Sequence, residues 1–205
     1  MPLEQRRELL LRTAARMFAG PEGQSVSIDA IAAEAGVAKP AIYELFDSKQ
    51  ALYEAAVAAE LAQLADYMSG AHDAPPEMPL VDRTRLRVEA VFAYVRENPV
   101  AMGLLLSATR HPTEAIASLQ TEAREIITAS LARAIGPELD AAGLDADEDG
   151  VLLLAAMSVE SVIAAAMLSL EHRDWDLDAV RATATDFLLT GFAGLGGAAL
   201  RLQQP

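Results

Sequence analysis

The sequence predicts an all-α protein, with an N-terminal three-helix helix-turn-helix domain followed by a larger helical domain. Three observations carry this. Apolar residues recur at three- and four-residue spacing along the chain, and Ala and Leu dominate, as in helices that bury one face. No segment alternates apolar and polar residues as a half-buried strand would. Residues 27–49, SIDAIAAEAGVAKPAIYELFDSK, read as two short helices across a tight turn, leading into a further helix.

The elements follow in order. A first helix spans about Leu3 to Ala19, with Leu10, Ala14, Met17 and Phe18 inward, and Gly20-Pro21-Glu22-Gly23 breaks it. Ser27 caps the next helix, whose buried face is Ile28, Ile31, Ala32 and Ala35. Gly36 supplies the left-handed residue of a sharp helix end, and Val37 plugs the turn. Pro40 stands where a new helix begins, since the amide it lacks is unpaired there anyway. Ile42, Leu45 and Phe46 are the apolar side of that helix. Asp47 and Gln50 have capping-box spacing, with Asp47 as the cap of a helix reaching about Ser69.

Residues 70–79, GAHDAPPEMP, read as a loop. A helix then covers about Leu80 to Arg96, Asn98-Pro99 breaks it, and a short apolar helix follows over 100–106. Pro112-Thr113 restarts the chain into a helix that ends near Ile135-Gly136-Pro137. GLDADEDG (143–150) is an acidic loop whose carboxylates suit a helix N-terminus. The last helices cover about 148–170 and 177–200.

A capped helix, a Gly turn and a second helix form the helix-turn-helix pattern, whose second helix enters the DNA major groove. The chain has only two lysines, Lys39 and Lys49, and they flank this second helix. Ser27 and the nearby helix amides suit phosphate oxygens. Lys39 is the candidate for reading a guanine edge, because an ammonium donates to O6 and N7. Pro40 and Ala41 offer apolar contact to a thymine methyl.

The residues from LLLRTAARMFA (9–19) through VSIDAIAAEAGVAKPAIYELFDSKQALYEAAV (26–57) resemble TetR/AcrR-type transcriptional regulators. The order of capped helix, Ala-Gly-Val turn, Tyr-x-x-Phe and Ser-Lys-x-x-Leu carries the likeness over about the first quarter of the chain. The rest agrees in helical layout. The resemblance implies that Tyr43 contacts a phosphate through its hydroxyl and that Lys49 grips the DNA backbone. It also implies that the last two helices pack against the same pair of a second copy. One departure is Ala38, where the family often carries Ser or Thr, so a helix cap and a phosphate bond are lost there.

Composition bounds the alternatives. With 205 residues there is ample length for a core. The chain lacks cysteine, which removes disulfides, thiolate metal sites and Cys nucleophiles. The N-terminus has no charged-then-apolar leader, so a cytoplasmic protein is expected. The net charge of −14 is unevenly spread. Residues 1–49 hold six Arg and Lys against seven acids, and the remainder holds ten Arg against twenty-three acids. Acidic bulk farther than about 8 Å from the duplex is largely screened. His72, His111 and His172 lie far apart with no metal-ligand spacing, and there is no phosphate-binding Gly loop and no G-x-S-x-G. No metal, cofactor or enzymatic activity is expected.

The stretch 151–170, VLLLAAMSVESVIAAAMLSL, is long enough to span a membrane. Glu160 at its midpoint and acidic flanks argue instead for a helix in a bundle. One stripe of it is Leu152, Ala155, Val159, Val162, Ala166 and Ser169; another is Leu153, Met157, Glu160, Ala164 and Met167. The final helix presents Gly191, Ala193, Gly194, Gly196 and Gly197, small residues that allow close helix approach. Excess apolar surface with small residues suggests either a subunit contact or an ordinary intrachain core, and the resemblance implies the contact of a homodimer.

The larger domain is expected to bind a small molecule. Phe92, Met102, Met157 and Met167 are candidate apolar lining, with Arg110, His111 and Glu160 as polar fixtures. Glu160 is either a ligand contact or a buried acid satisfied by Ser158, Ser161 or an Arg.

The sequence therefore divides as a DNA-binding domain over 1–49 and a ligand-binding and dimerisation domain over 50–205. The expected function is a ligand-responsive repressor. It binds an inverted-repeat operator in double-stranded DNA as a dimer and is released by a small apolar or amphipathic effector. The competing reading is a small-molecule-binding or enzymatic helical bundle with a degenerate helix-turn-helix.

Overall fold

A computed structural model of the chain describes residues 1–20, 23–72, 75, 78–144 and 146–195. Nine α-helices are present among the described residues, and no β-strand. They are α1 (Leu3–Phe18), α2 (Ile28–Ala35), α3 (Lys39–Tyr43), α4 (Lys49–Ala71), α5 (Leu80–Glu97), α6 (Pro99–Arg110), α7 (Glu114–Ala141), α8 (Glu148–Glu171) and α9 (Leu177–Gly194). A 3₁₀ turn, Gly23–Ser25, lies between α1 and α2. The expected all-helical class is what the chain adopts. Gly196 and Gly197, expected at a close helix contact, lie outside the described residues, as do Pro21, Glu22 and parts of the 70–79 and 143–150 loops.

The chain forms two compact units. The first comprises residues 1–63 and 98–121, and the second comprises 64–97 and 122–205. In the first unit α1 packs on α2 and α6, and α2 packs on α3. Leu10, Ile31, Ile42, Leu52 and Leu104 are wholly buried there. Each removes its side chain from water, an effect of about 1.5–3 kcal/mol for a residue of this size. In the second unit α5 packs on α8 and α9, around a core of Val88, Phe92, Val162, Ala184 and Leu188.

Three local expectations are corrected. The cap of α4 is Ser48, whose Oγ accepts the Ala51 amide at 3.0 Å, one residue later than the expected Asp47. The hydroxyl one residue nearer the helix reaches the orphan amide. Pro137 does not end α7, which continues to Ala141. A proline removes one intrahelical bond, and here Glu138, just beyond it, is anchored by two arginines, so the extra turn is held by its side chain. The short apolar helix after Asn98 is a full turn longer than expected, running to Arg110.

Candidate nucleic-acid interface

The first unit positions a small outward-facing helix by capping and by burial. Ser27 precedes α2, and its Oγ accepts the Ala30 amide at 3.1 Å. Gly36 then turns the chain at φ 66°, a left-handed conformation that a side chain disfavours. The Gly36 and Val37 amides donate back to the carbonyls of Ala33 and Ala32 and close the helix end. Ala38 begins α3 with no side-chain cap, as its missing hydroxyl requires, and Pro40 fills the first turn.

Ile42 is fully buried and Phe46, just past the helix, nearly so. Those two residues fix which side of α3 faces the core. Lys39, Pro40, Tyr43 and Glu44 are consequently exposed, and Ala41 is half-buried. Tyr43 is 47% exposed, so its ring is not a core aromatic. Lys49 begins α4, half-buried, in the turn that Ser48 caps. Ser27, Lys39, Pro40, Ala41, Tyr43 and Lys49 thus all lie within two helix starts and the short helix between them.

The electrostatics of this face were not legible in the sequence. The Lys39 ammonium donates to Asp29 Oδ2 at 2.9 Å. That hydrogen bond, and then the Asp29 charge, hold the Lys39 pKa above its ordinary value, so it remains a cation. Arg6 meets Glu44 at 2.9 Å and Arg16 meets Glu34 at 3.3 Å. All three pairs are largely exposed and contribute little to stability. In each pair an acid stands beside a base. Asp29 lies ten residues from Lys39, a spacing no helical periodicity would single out.

The other predicted contacts fall in different units. Met102, Arg110 and His111 belong to the first, and Met102 is buried in α6. His111 borders a cleft of about 380 Å³ in that unit, together with Lys49, Gln50 and Tyr53 of α4, and Ser107 and Thr113 on either side of it. Sequence spacing gave no signal for this cleft, because α4 and the end of α6 are about sixty residues apart.

Phe92, Met157, Glu160 and Met167 belong to the second unit. Phe92 is wholly buried in the α5–α8–α9 core, Met167 is half-buried and Met157 is exposed. Glu160 is not the buried acid that its apolar surroundings in the sequence implied. Its side chain is 56% exposed and lies 3.4 Å from Arg124. The buried acid of this unit is Glu138. It takes a bidentate pair from Arg87 at 2.6 and 2.8 Å and a further bond from Arg83 at 2.8 Å. Burial pushes its carboxyl up, but the two guanidiniums outweigh this and hold the pKa below the usual carboxylate value. Among the described residues no group of His, Asp and Glu is placed to hold a metal ion.

Residues 10–56, which contain all of α2 and α3, match the family model described as bacterial regulatory proteins, tetR family. No curated protein matches the chain. Solved structures share its fold. A tetR-family transcriptional regulator from Streptomyces coelicolor is 24% identical, with a TM-score of 0.71 over 95% of this chain and 82% of that one. A TetR-like transcriptional regulator from Rhodococcus sp. RHA1 is 21% identical, with a TM-score of 0.66 over 95% and 99%. The transcriptional regulator FadR from Bacillus subtilis, in complex with stearoyl-CoA, is 16% identical, with a TM-score of 0.71 over 90% and 98%.

Proposed function

We propose that the chain, whose residues 10–56 match the tetR family of bacterial regulatory proteins, is a cytoplasmic, ligand-responsive repressor that binds an inverted-repeat operator as a homodimer. The observation that carries this is the outward face of α3, with Lys39, Pro40 and Tyr43 exposed on a helix whose other side is buried. Ser27, Tyr43 and Lys49 hold phosphates and set the register, while Lys39, with Pro40 and Ala41, reads base edges. To reach a base, Lys39 exchanges Asp29 for the DNA.

The homodimer forms through α8 and α9. Leu152, Leu153, Met157 and Leu168 on α8 and Phe187 on α9 are large apolar side chains left exposed in the single chain. A Cβ at Gly191 or Gly194 would meet nothing within 4 Å, so a partner helix has room to approach. A two-fold assembly places two α3 helices on half-sites about one helical turn apart or somewhat more. The α8 helix is long and apolar enough to cross a membrane by composition alone; its exposed stripe is assigned here to the partner subunit.

The effector is an apolar or amphipathic small molecule bound among residues 80–170, and it lowers operator affinity by favouring a different spacing of the reading helices. The FadR neighbour, solved with stearoyl-CoA, supports an amphipathic ligand class. Phe92, Glu160 and Met167 are the second unit's residues to probe.

Operator titrations with variants test the DNA reading. Lys49→Ala and Tyr43→Phe weaken binding to every duplex, and Lys49→Ala also flattens the salt dependence by about one phosphate contact. Lys39→Ala instead relaxes preference at one base pair, by roughly 5- to 150-fold. Equal loss on all half-site variants would remove Lys39 from base reading.

A further inference from the structure

The cleft of the first unit brings together polar groups of which the DNA reading uses only Lys49. Tyr53 lines it, is only 8% exposed, and its hydroxyl is buried with no hydrogen-bond partner among the described residues. Buried polar atoms are rarely left unpaired in a folded chain, and this hydroxyl can donate to an acceptor bound in the cleft. Lys49 adds a cation, and Ser107 and His111 add further polar groups.

Phe18 also lines the cleft, and its ring meets Tyr53 edge-on with centroids 5.0 Å apart, a rigid aromatic wall. Gly23 completes it. A Cβ there would collide with the Phe18 carbonyl oxygen, so only glycine fits at this position against the end of α1. The acid in the neighbourhood, Glu54, is already engaged: Gln50 donates to it at 3.0 Å and Thr113 at 2.9 Å.

We propose that this cleft is an effector site separate from the one in the larger domain, taking a small aromatic carboxylate. The carboxylate accepts from the Tyr53 hydroxyl and pairs with Lys49, and the ring lies against Phe18. Such a ligand draws on the same ammonium that the proposed function assigns to a DNA phosphate, so ligand and operator compete. The competition rests on that assignment; the binding itself does not.

The test uses the full chain without DNA first, with benzoate as probe and nuclear magnetic resonance as readout. Benzoate should bind saturably and shift the Tyr53 and His111 resonances. Benzamide, which keeps the ring and loses the charge, should bind roughly tenfold more weakly. Tyr53→Phe should lose roughly 3- to 10-fold in benzoate affinity while melting no lower than the parent chain, since it removes only an unpaired hydroxyl. Ser107→Leu should fill the cleft and abolish benzoate binding while ligand-free operator affinity stays unchanged.

In the presence of operator, benzoate should lower DNA affinity by the factor by which operator lowers benzoate affinity. The proposal is overturned if benzoate fails to saturate, if benzamide or inorganic phosphate binds as tightly, or if Tyr53→Phe leaves affinity intact. Benzoate that binds without lowering operator affinity overturns the effector role of the cleft. Because the first arm contains no DNA, its failure is distinct from a failure of the chain to bind operator.

Discussion

Removing the Glu138 carboxylate should be among the most destabilising single changes in the second unit. Glu138 is 5% exposed, Arg87 9% and Arg83 14%. In Glu138→Ala, Arg87 stays buried with one remaining bond, from Nη2 to the His72 carbonyl at 3.1 Å. Arg83 keeps its Nε bond to the Met78 carbonyl. Breaking one partner out of a buried ion pair costs about 3–5 kcal/mol, mainly through the charge left behind. At this chain length that corresponds to a fall in melting temperature of about 6–20 °C.

The pH dependence follows from the same geometry. The folded pKa of Glu138 lies below the unfolded value of 4.5, so its stabilisation is fully present above about pH 4.5 and is lost as pH falls through the folded value. Glu60 shifts the other way, its carboxyl raised by burial, and partly masks the trend in the parent chain. The difference between parent and Glu138→Ala isolates the Glu138 part. Calorimetry at pH 7 and at stepped acid pH measures both. The double variant Glu138→Leu with Arg87→Met should recover much of the loss, because it removes the more deeply buried guanidinium together with its carboxylate. A Glu138→Ala chain melting within 2 °C of the parent, or a double variant as unstable as the single one, would refute this reasoning.

Three further outcomes are expected. Gly36→Ala meets no neighbouring atom, so its cost is the left-handed backbone alone, about 1–2 kcal/mol, read by chemical denaturation with operator affinity falling in step. Asp29→Asn releases the Lys39 ammonium and removes an acid from the face presented to DNA; anisotropy titration should give tighter operator binding, most visibly at low salt. Phe187→Asp puts a charge into the proposed α8–α9 contact, at a side chain now 64% exposed, and light scattering should show a monomer where the parent is a dimer.

The fold was legible because its signals are local. Ser27, Gly36 and Pro40 each act through their own backbone, and each stands where its conformational preference places it. What sequence periodicity missed is long-range. The Arg87–Glu138 pair spans 51 residues. Lys39 and Asp29 are joined by the turn between two helices, and the Tyr53 cleft by α4 and the end of α6. Glu160 is exposed because a helix apolar in composition need not be buried all round. The α8 helix instead buries Leu154, Ala155, Val159, Val162 and Ala166 and leaves Leu153, Met157 and Glu160 outside. A single chain's apolar content does not distinguish its own core from a surface reserved for a partner.

The central claim is that the exposed face of α3, presented twice by a dimer, reads a two-fold DNA sequence. Selection of duplexes from a random pool by the full-length chain, followed by titration of the enriched sequence at physiological salt, tests it most directly. The account predicts an enriched inverted repeat bound at least about 10³-fold more tightly than unrelated DNA, with that preference falling at one position of each half-site in Lys39→Ala. A pool that shows no enrichment, or an enriched sequence without two-fold symmetry, would contradict it.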